Sequence, residues 1–357
     1  MSLLVLSAPD VLRVTQSFKP PELVALMAAV FARLSAPTPD PGLAQPHRTV
    51  LALAHHTALF MPARVSGAGT TLKVVSVPSP DAPEDVRARG LPASTLVLDE
   101  RTGAVKAVVN ARLLTALRNA AGSLLATQLL LPTDAAPTNI VAVGAGAQIQ
   151  AHLNLFLVAY PTIKTCTIFN RTQNARLASL RDRIALAFPH IHVSTGSLSP
   201  DSTMREAVSK AQVIITATSS TVPLFPSEFV SPGTHLCLIG SYTPEMHEID
   251  TPLVRRAGKV VVDQKAACLK EAGELITAGL QEKDLVELGT LYDCDLDTSA
   301  WSPDATKIAD VRASGDVTIF KSVGVGVQDV VIASAVADRA AELGAGTVVG
   351  DYDAELP

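Results

Sequence analysis

From Asn139 onward the chain alternates between short runs that are apolar at nearly every position and longer segments with helical spacing. "NIVAVG" precedes "AQIQAHLNLFLVA", "CTIFN" precedes "NARLASLRDRIALAF", and "IHVST" precedes "PDSTMREAVSKA"; "VIITAT", "THLCLIG" and "KVVVD" follow. Few architectures accept this pattern. A strand apolar on both faces must be covered on both, and a helix between successive strands makes them run parallel. The alternation therefore predicts an α/β fold with a covered parallel sheet.

The preceding half reads differently. Leu23, Leu26, Met27, Val30, Phe31 and Leu34 form one stripe, which predicts a helix over 20–34. After the Pro-rich "SAPTPDPGLAQP" come strand-like runs, "RTVLALA", "ALFMPARV", "TLKVVSV", "STLVLD" and "AVKAVVN", with "PSPDAPEDVRARGLP" as a long loop. This half reads as mixed or antiparallel sheet. A helix is expected over 111–131, stopping at Pro132, and "TDAAPTN" reads as a boundary. A last helix spans about 325–343, with Asp329 in its first turn, where an acid suits the helix dipole.

Composition narrows the partners. The 357 residues are 48% hydrophobic and carry a net charge of −5, so a core is well supplied and no broad basic face is implied. Nucleic acid and anionic membranes are not expected partners. No apolar run approaches the roughly 18 residues of a spanning helix. The opening "MSLLVLSAPD" has no positive n-region, so a secretory signal is not expected. Four cysteines lie far apart without CxxC spacing, which suits reduced thiols and a cytoplasmic protein. No histidine has helical i,i+4 pairing with a nearby carboxylate, and no metal site is expected.

"IVAVGAGAQIQAHL" places Gly144 and Gly146 between a strand and a helix. The first glycine permits a tight turn, and the second lets the backbone approach a pyrophosphate bound by the helix start. A plain glycine turn is the alternative. About 20 residues further on, such folds place an acid on the ribose 2′-hydroxyl. Here the strand tip carries Asn170-Arg171-Thr172. A guanidinium there pairs with a 2′-phosphate, so NADP(H) is expected over NAD(H). Otherwise Arg171 merely begins a solvated helix, with Asn170 or Thr172 as its cap. The hydroxyls of "VIITATSST", Thr216, Thr218 and Ser219 among them, suit the ligand crevice at a strand's carboxyl end and equally suit an ordinary turn.

Lys73 interrupts an apolar strand, and is either an edge charge facing water or a functional group in a dry site. Arg48 opens another strand, and Arg118 lies on a nearly uncharged helix. Each alone reads as a surface charge. Three isolated cations beside a dinucleotide fold suggest a site for a small carboxylate.

These segments, in order, resemble the ornithine cyclodeaminase/mu-crystallin family from about Gln45 to Leu343. The resemblance rests on "PHRTV", "FMPARV", "LKVVSV", "GLPASTLVLDERTGAVKAVVNARLLTALRNAAGSLLAT", "VAVGAGAQIQAHL", "FNRT", "TATSSTVPLF", "IGSYTPEMHEID" and "FKSVGVGVQD". It implies a homodimer whose subunits have a discontinuous substrate-binding and dimerisation domain, 1–131 with 321–357, and a Rossmann domain, 132–320, binding NADPH/NADP+. Arg48 and Arg118 would hold the substrate carboxylate, and Lys73 would face the reacting carbon–nitrogen centre. Gly144, Ala145, Gly146, Ala147 and Gln148 would carry the pyrophosphate. The implied activity is reduction of a cyclic imine carboxylate. Amino-acid dehydrogenation, cyclodeamination and non-enzymatic NADPH-dependent ligand binding are the alternatives. Cyclodeaminases carry an aspartate where this chain has Tyr242, which argues against ornithine cyclisation.

Overall fold

The computed structural model describes residues 2–79, 81–132, 135–199, 201–296 and 298–354. Pro80 in the expected loop, Thr133 and Asp134 in "TDAAPTN" and Pro200 ahead of an expected helix lie outside them. Contacts group the chain into two compact units, 1–118 with 325–357, and 119–324.

The first unit contains β1 (Leu3–Leu6), α1 (Ala8–Thr15), α2 (Pro20–Leu34), β2 (Leu43–Ala44), β3 (Thr49–Ala52), β4 (His56–Val65), β5 (Gly69–Pro78), α3 (Glu84–Ala88), β6 (Ala93–Leu98) and β7 (Val105–Asn110). Helix α4 (Arg112–Leu130) contains the division. The second unit continues with β8 (Asn139–Val143), α5 (Ala147–Ala159), β9 (Thr165–Asn170), α6 (Ala175–Ala187), β10 (His192–Ser197), α7 (Ser202–Lys210), β11 (Val213–Thr216), β12 (His235–Leu238), α8 (Thr251–Arg256), β13 (Val260–Val262), α9 (Lys265–Glu271), α10 (Gly273–Thr277), β14 (Leu285–Glu287), β15 (Tyr292–Cys294), β16 (Trp301–Pro303), α11 (Ala305–Ala313) and β17 (Thr318–Lys321). The chain then returns to the first unit as α12 (Gly326–Glu342) and β18 (Thr347–Val349).

In the first unit the sheet order is β18-β1-β7-β6-β5-β4-β2, with β3 also on β4. Among the described residues of this sheet, only β1 and β7 pair in parallel. Helix α12 packs on β4, β5 and β6 and against α1 and α2. Two segments differ from the sequence expectation. The opening run forms β1 and a capped helix, in which the Ser7 side chain accepts from the Asp10 N–H. The long loop contains the single turn α3.

Strand β5 is interior, paired with β4 on one side and β6 on the other. That removes the edge-strand alternative for Lys73. Period-2 alternation puts Thr71 and Lys73 on the same face of β5, and both are buried, at 1% and 2% exposure.

The second unit holds an all-parallel sheet, β10-β9-β8-β11-β12-β17-β13-β14. Its inner strands β9, β8, β11, β12, β17 and β13 are buried on both faces, as continuous apolar runs require, while the edge strands β10 and β14 are partly exposed, and Val141, Ile214, Leu236, Val260 and Ile319 join Leu253 and Leu275 in one core. Each such side chain contributes about 1.5–3 kcal/mol by leaving water. At the end of α4, the Arg312 guanidinium donates to the carbonyls of Leu129 and Leu130, at 2.8 and 3.0 Å, closing helix ends that have no intrahelical donor. No helix of the described residues is long and apolar enough to cross a membrane.

Candidate active site

In the second unit the strand order reverses between β8 and β11, and open α/β sheets bind ligands at the carboxyl ends of such strands. A cavity of about 340 Å³ lies there. Three strand-tip loops line it: Gly144–Gly146 after β8, Asn170–Thr172 with Asn174 and Arg176 after β9, and Ala217–Ser220 after β11. Leu198 and Leu224 complete the wall.

Local chemistry explains these tips. Gly144 has φ +121°, and a Cβ there would stand 2.8 Å from the Ala217 carbonyl oxygen. The turn therefore needs glycine. Gly146 is the N-cap of α5, and a Cβ there would enter open space. Backbone at the helix start is thus left accessible to a phosphate. The tip of β9 is held by its own side chains. Asn170 donates to the Thr172 carbonyl at 2.8 Å, and Asn174 caps α6 by accepting from the Leu177 N–H at 3.1 Å.

Arg171 and Arg176 both reach this cavity, and among the described residues neither guanidinium has a hydrogen-bond or ion-pair partner. Among the described residues no acidic side chain lines the cavity. Among the described residues, two cations and accessible helix-start backbone here suit the phosphates of a dinucleotide.

Of the residues assigned to the cofactor from sequence, Gly144, Ala145, Gly146, Asn170, Arg171, Thr172, Thr218 and Ser219 line the cavity. Ala147 and Gln148 form the first turn of α5 outside its lining. Thr216 is fully buried outside it, and its hydroxyl donates to Glu248 at 2.8 Å. The Thr218 hydroxyl also donates to Glu248, at 2.9 Å. These hydroxyls serve a buried carboxylate, because β11 turns them toward the loop after β12. Sequence reading missed Arg176, Asn174 and Glu248. Arg176 had a signal, a second arginine in the first turn of the helix that Arg171 precedes.

The first unit gathers the three cations. Lys73 Nζ lies 2.6 Å from Asp329 Oδ2. Arg118 Nε lies 3.4 Å from Asp329 Oδ1, and Arg118 donates through Nη1 to Gln328 Oε1 at 2.6 Å. Arg118 and Asp329 are 3% and 2% exposed. Burial pushes the Lys73 ammonium down to about 8, Asp329 opposes that shift, and Arg118 and Arg48 add to it. Arg48 is thus close enough to act electrostatically on Lys73, and is half-buried. Asp329, read from sequence only as a dipole partner, is the counterion of this cluster. Its signal was the polar pair Gln328-Asp329 inside "VGVQDVVIASAV".

Tyr242 is half-buried. Among the described residues no group of three or more His, Cys, Asp or Glu side chains is placed to hold a metal ion.

Comparison with known proteins identifies the family and the fold. Residues 11–344 match the profile of the ornithine cyclodeaminase/mu-crystallin family. The mouse protein named ketimine reductase mu-crystallin is 33% identical over 304 residues, 84% of this chain and 86% of that protein. A Δ1-pyrroline-2-carboxylate reductase from Bacillus cereus is 30% identical over 312 residues, 84% of this chain and 87% of that protein. The Thermococcus litoralis Δ1-pyrroline-2-carboxylate reductase, solved with NADH and L-proline, shares the fold, with a TM-score of 0.78, 24% identity and coverage of 96% of this chain and 99% of that one. The chain belongs to the ornithine cyclodeaminase/mu-crystallin family.

Proposed function

We propose that the chain is an NADPH-dependent reductase of an imine bearing a carboxylate, with cyclic ketimine acids such as pyrroline-2-carboxylate as the substrate class. One observation carries the reading: a buried lysine flanked by two arginines, with Asp329 as the carboxylate that contacts it. Three cations converge there, as recognition of a small acid requires. Relatives named for reduction of ketimines and pyrroline-2-carboxylate support the same class. The preference for NADPH rests on Arg171 and Arg176 and on the absence of an acid from the cavity lining.

When bound, the reduced nicotinamide supplies a hydride. The chain supplies the rest. Arg48 and Arg118 pair with the substrate carboxylate and orient the C=N bond, a proximity effect. The Lys73 ammonium hydrogen-bonds the imine nitrogen, which makes the adjacent carbon more electrophilic. As that carbon gains the hydride, the C=N π pair moves to nitrogen. Lys73 Nζ gives its proton there and recovers one from water. The sum is one imine, one hydride and one proton giving one amine.

A homodimer is part of the reading. Strand β3 is exposed throughout, with Val50 and Leu51 at 58% and 52%, and a second copy would cover that apolar strand. The cytoplasm is the proposed compartment, in keeping with four free cysteines.

The test is NADPH oxidation with small cyclic imino acids, and with keto acids in the presence and absence of ammonia. Turnover is expected with the imines and without ammonia. Lys73→Met is expected to abolish it while NADPH still binds. Arg171→Ala is expected to weaken NADPH far more than NADH. Turnover only with keto acid plus ammonia would make the protein an amino-acid dehydrogenase, and NADPH binding without turnover of any substrate would make it a ligand binder.

A further inference from the structure

Asp329 has no role in the reading above beyond proximity, yet its surroundings are unusual. It sits in the first turn of α12, a helix buried mainly through apolar residues, with Gln328 beside it. Its carboxylate is withdrawn from water together with the two cations it touches, with Lys73 and Arg118 at 2% and 3% exposure. The charged groups facing Lys73 come from three elements. Asp329 comes from α12, Arg118 from α4, and Arg48 from the segment before β3. Its cross-strand neighbours, Met61 on β4 and Thr95 on β6, carry no charge.

A lysine so placed loses its proton easily. Desolvation disfavours the ammonium, and two nearby guanidiniums disfavour it further. The Asp329 carboxylate opposes both effects by stabilising the ammonium through a 2.6 Å contact. Gln328, its neighbour, accepts from Arg118, so the arginine is held by the same helix turn.

We propose that Asp329 is a positioning residue that keeps the Lys73 ammonium protonated and aimed, so that the proton is available to the substrate nitrogen at neutral pH. This rests on Lys73 being the proton donor. In the step itself the Nζ–H bond breaks and an N–H bond forms on the substrate nitrogen. The reductant is the reduced nicotinamide, and Asp329 stays ionised throughout.

The sign of the pH effect follows. Turnover needs the protonated lysine, so in the wild type the rate falls as pH rises through the Lys73 pKa, about 8. Removing the carboxylate lowers that pKa further, and the same fall occurs at lower pH.

The experiment is the pH profile of kcat, with NADPH affinity measured alongside, for wild type, Asp329→Asn and Asp329→Glu. For Asp329→Asn the alkaline limb is expected to move about one unit toward acid, with kcat at pH 8 down about fivefold and largely recovered near pH 6. NADPH affinity is expected to stay within about twofold of wild type, as for a residue that acts only through Lys73. Asp329→Glu keeps the charge, and its limb is expected within about half a unit of wild type. An unmoved limb in Asp329→Asn would overturn the proposal. So would an Asp329→Glu enzyme that folds and is as inactive as Lys73→Met, because the role would then be shape rather than charge. If Lys73→Met itself retains turnover, the reading of the function fails first. If Lys73→Met is inactive while Asp329→Asn keeps the wild-type profile, only this inference fails.

Discussion

Glu248 accepts the backbone N–H of Gly240 at 2.7 Å, and through that contact it joins the tips of two neighbouring strands. The same oxygen takes the Thr216 hydroxyl at 2.8 Å. The other takes the Thr218 N–H and hydroxyl at 2.7 and 2.9 Å. Four donors from the ends of β11 and β12 thus converge on one fully buried carboxylate. Gly240 is required for this approach, because a Cβ there would overlap Thr218 backbone and Glu248 Oε1. Thr218 and its neighbours then line the strand-tip cavity.

Glu248→Gln should therefore loosen the nucleotide and the fold together. An amide turns an acceptor into a donor against two N–H groups and two hydroxyls that already donate. Leaving buried donors unmatched costs about 1–3 kcal/mol, more around a charge. We expect a lower melting temperature and an NADPH dissociation constant raised severalfold, read by thermal unfolding and by fluorescence titration. A variant with wild-type stability and affinity would show that the convergence on Glu248 has no energetic weight.

Why these contacts were hidden in the sequence is a matter of distance along the chain. The glycine turn and the arginine at the tip of β9 are local features, set by a strand, a helix start and the residues between, and they were legible. So were the continuous apolar strands, because burial on both faces leaves few polar positions. Thr216 and Thr218 looked like ligand donors because nothing nearby in sequence claims their hydroxyls, whereas the acceptor lies 32 residues on from Thr216. Arg118 looked like a stray surface charge because Gln328 lies 210 residues away. Lys73 could be narrowed to two readings, and only the strand order of the sheet decides between them.

Two buried histidines make the second unit sensitive to acid. His152 accepts or donates at Ser123 Oγ through Nε2, 2.9 Å away, and Nδ1 contacts the Gln148 carbonyl at 2.7 Å. A carbonyl only accepts, so Nδ1 carries the proton and Nε2 accepts from the serine. His235 contacts Thr318 Oγ1 at 2.8 Å. Burial pushes His152 down to about 4 and His235 down to about 3. Both are neutral in the folded chain, whereas the unfolded chain takes up protons below about pH 6.5. Stability therefore falls as pH drops from about 6.5 toward 4 for His152 and toward 3 for His235, and neither residue contributes a slope above that window. Glu248, pushed up by burial, works in the opposite direction. The difference between two proteins isolates one histidine. His235→Asn should lose about 1.4 kcal/mol per pH unit of the wild-type slope between pH 6 and 5, measured by urea unfolding. Identical slopes would mean that His235 titrates alike in both states.

The buried pair Lys321 and Glu274 allows a sharper separation of charge from packing. Lys321 ends β17, Glu274 lies in α10, and their N–O distance is 3.1 Å with both side chains at 0% exposure. Glu248 also feels both groups, since Lys321 pulls its pKa down while Glu274 pushes it up. Desolvating two full charges costs several kcal/mol each, and their attraction only about repays it. Removing one partner strands the other. Glu274→Leu alone should thus destabilise by about 3–5 kcal/mol, as should Lys321→Met alone, whereas the double variant should recover most of the loss. A double-mutant cycle in urea measures the coupling directly. Simple addition of the two single losses would show that each side chain acts through its own packing and that the ion pair contributes nothing between them. Recovery, with NADPH affinity also restored, would mean instead that the network under the strand tips needs only to be neutral overall. In that case Glu248 keeps its four donors without help from the lysine.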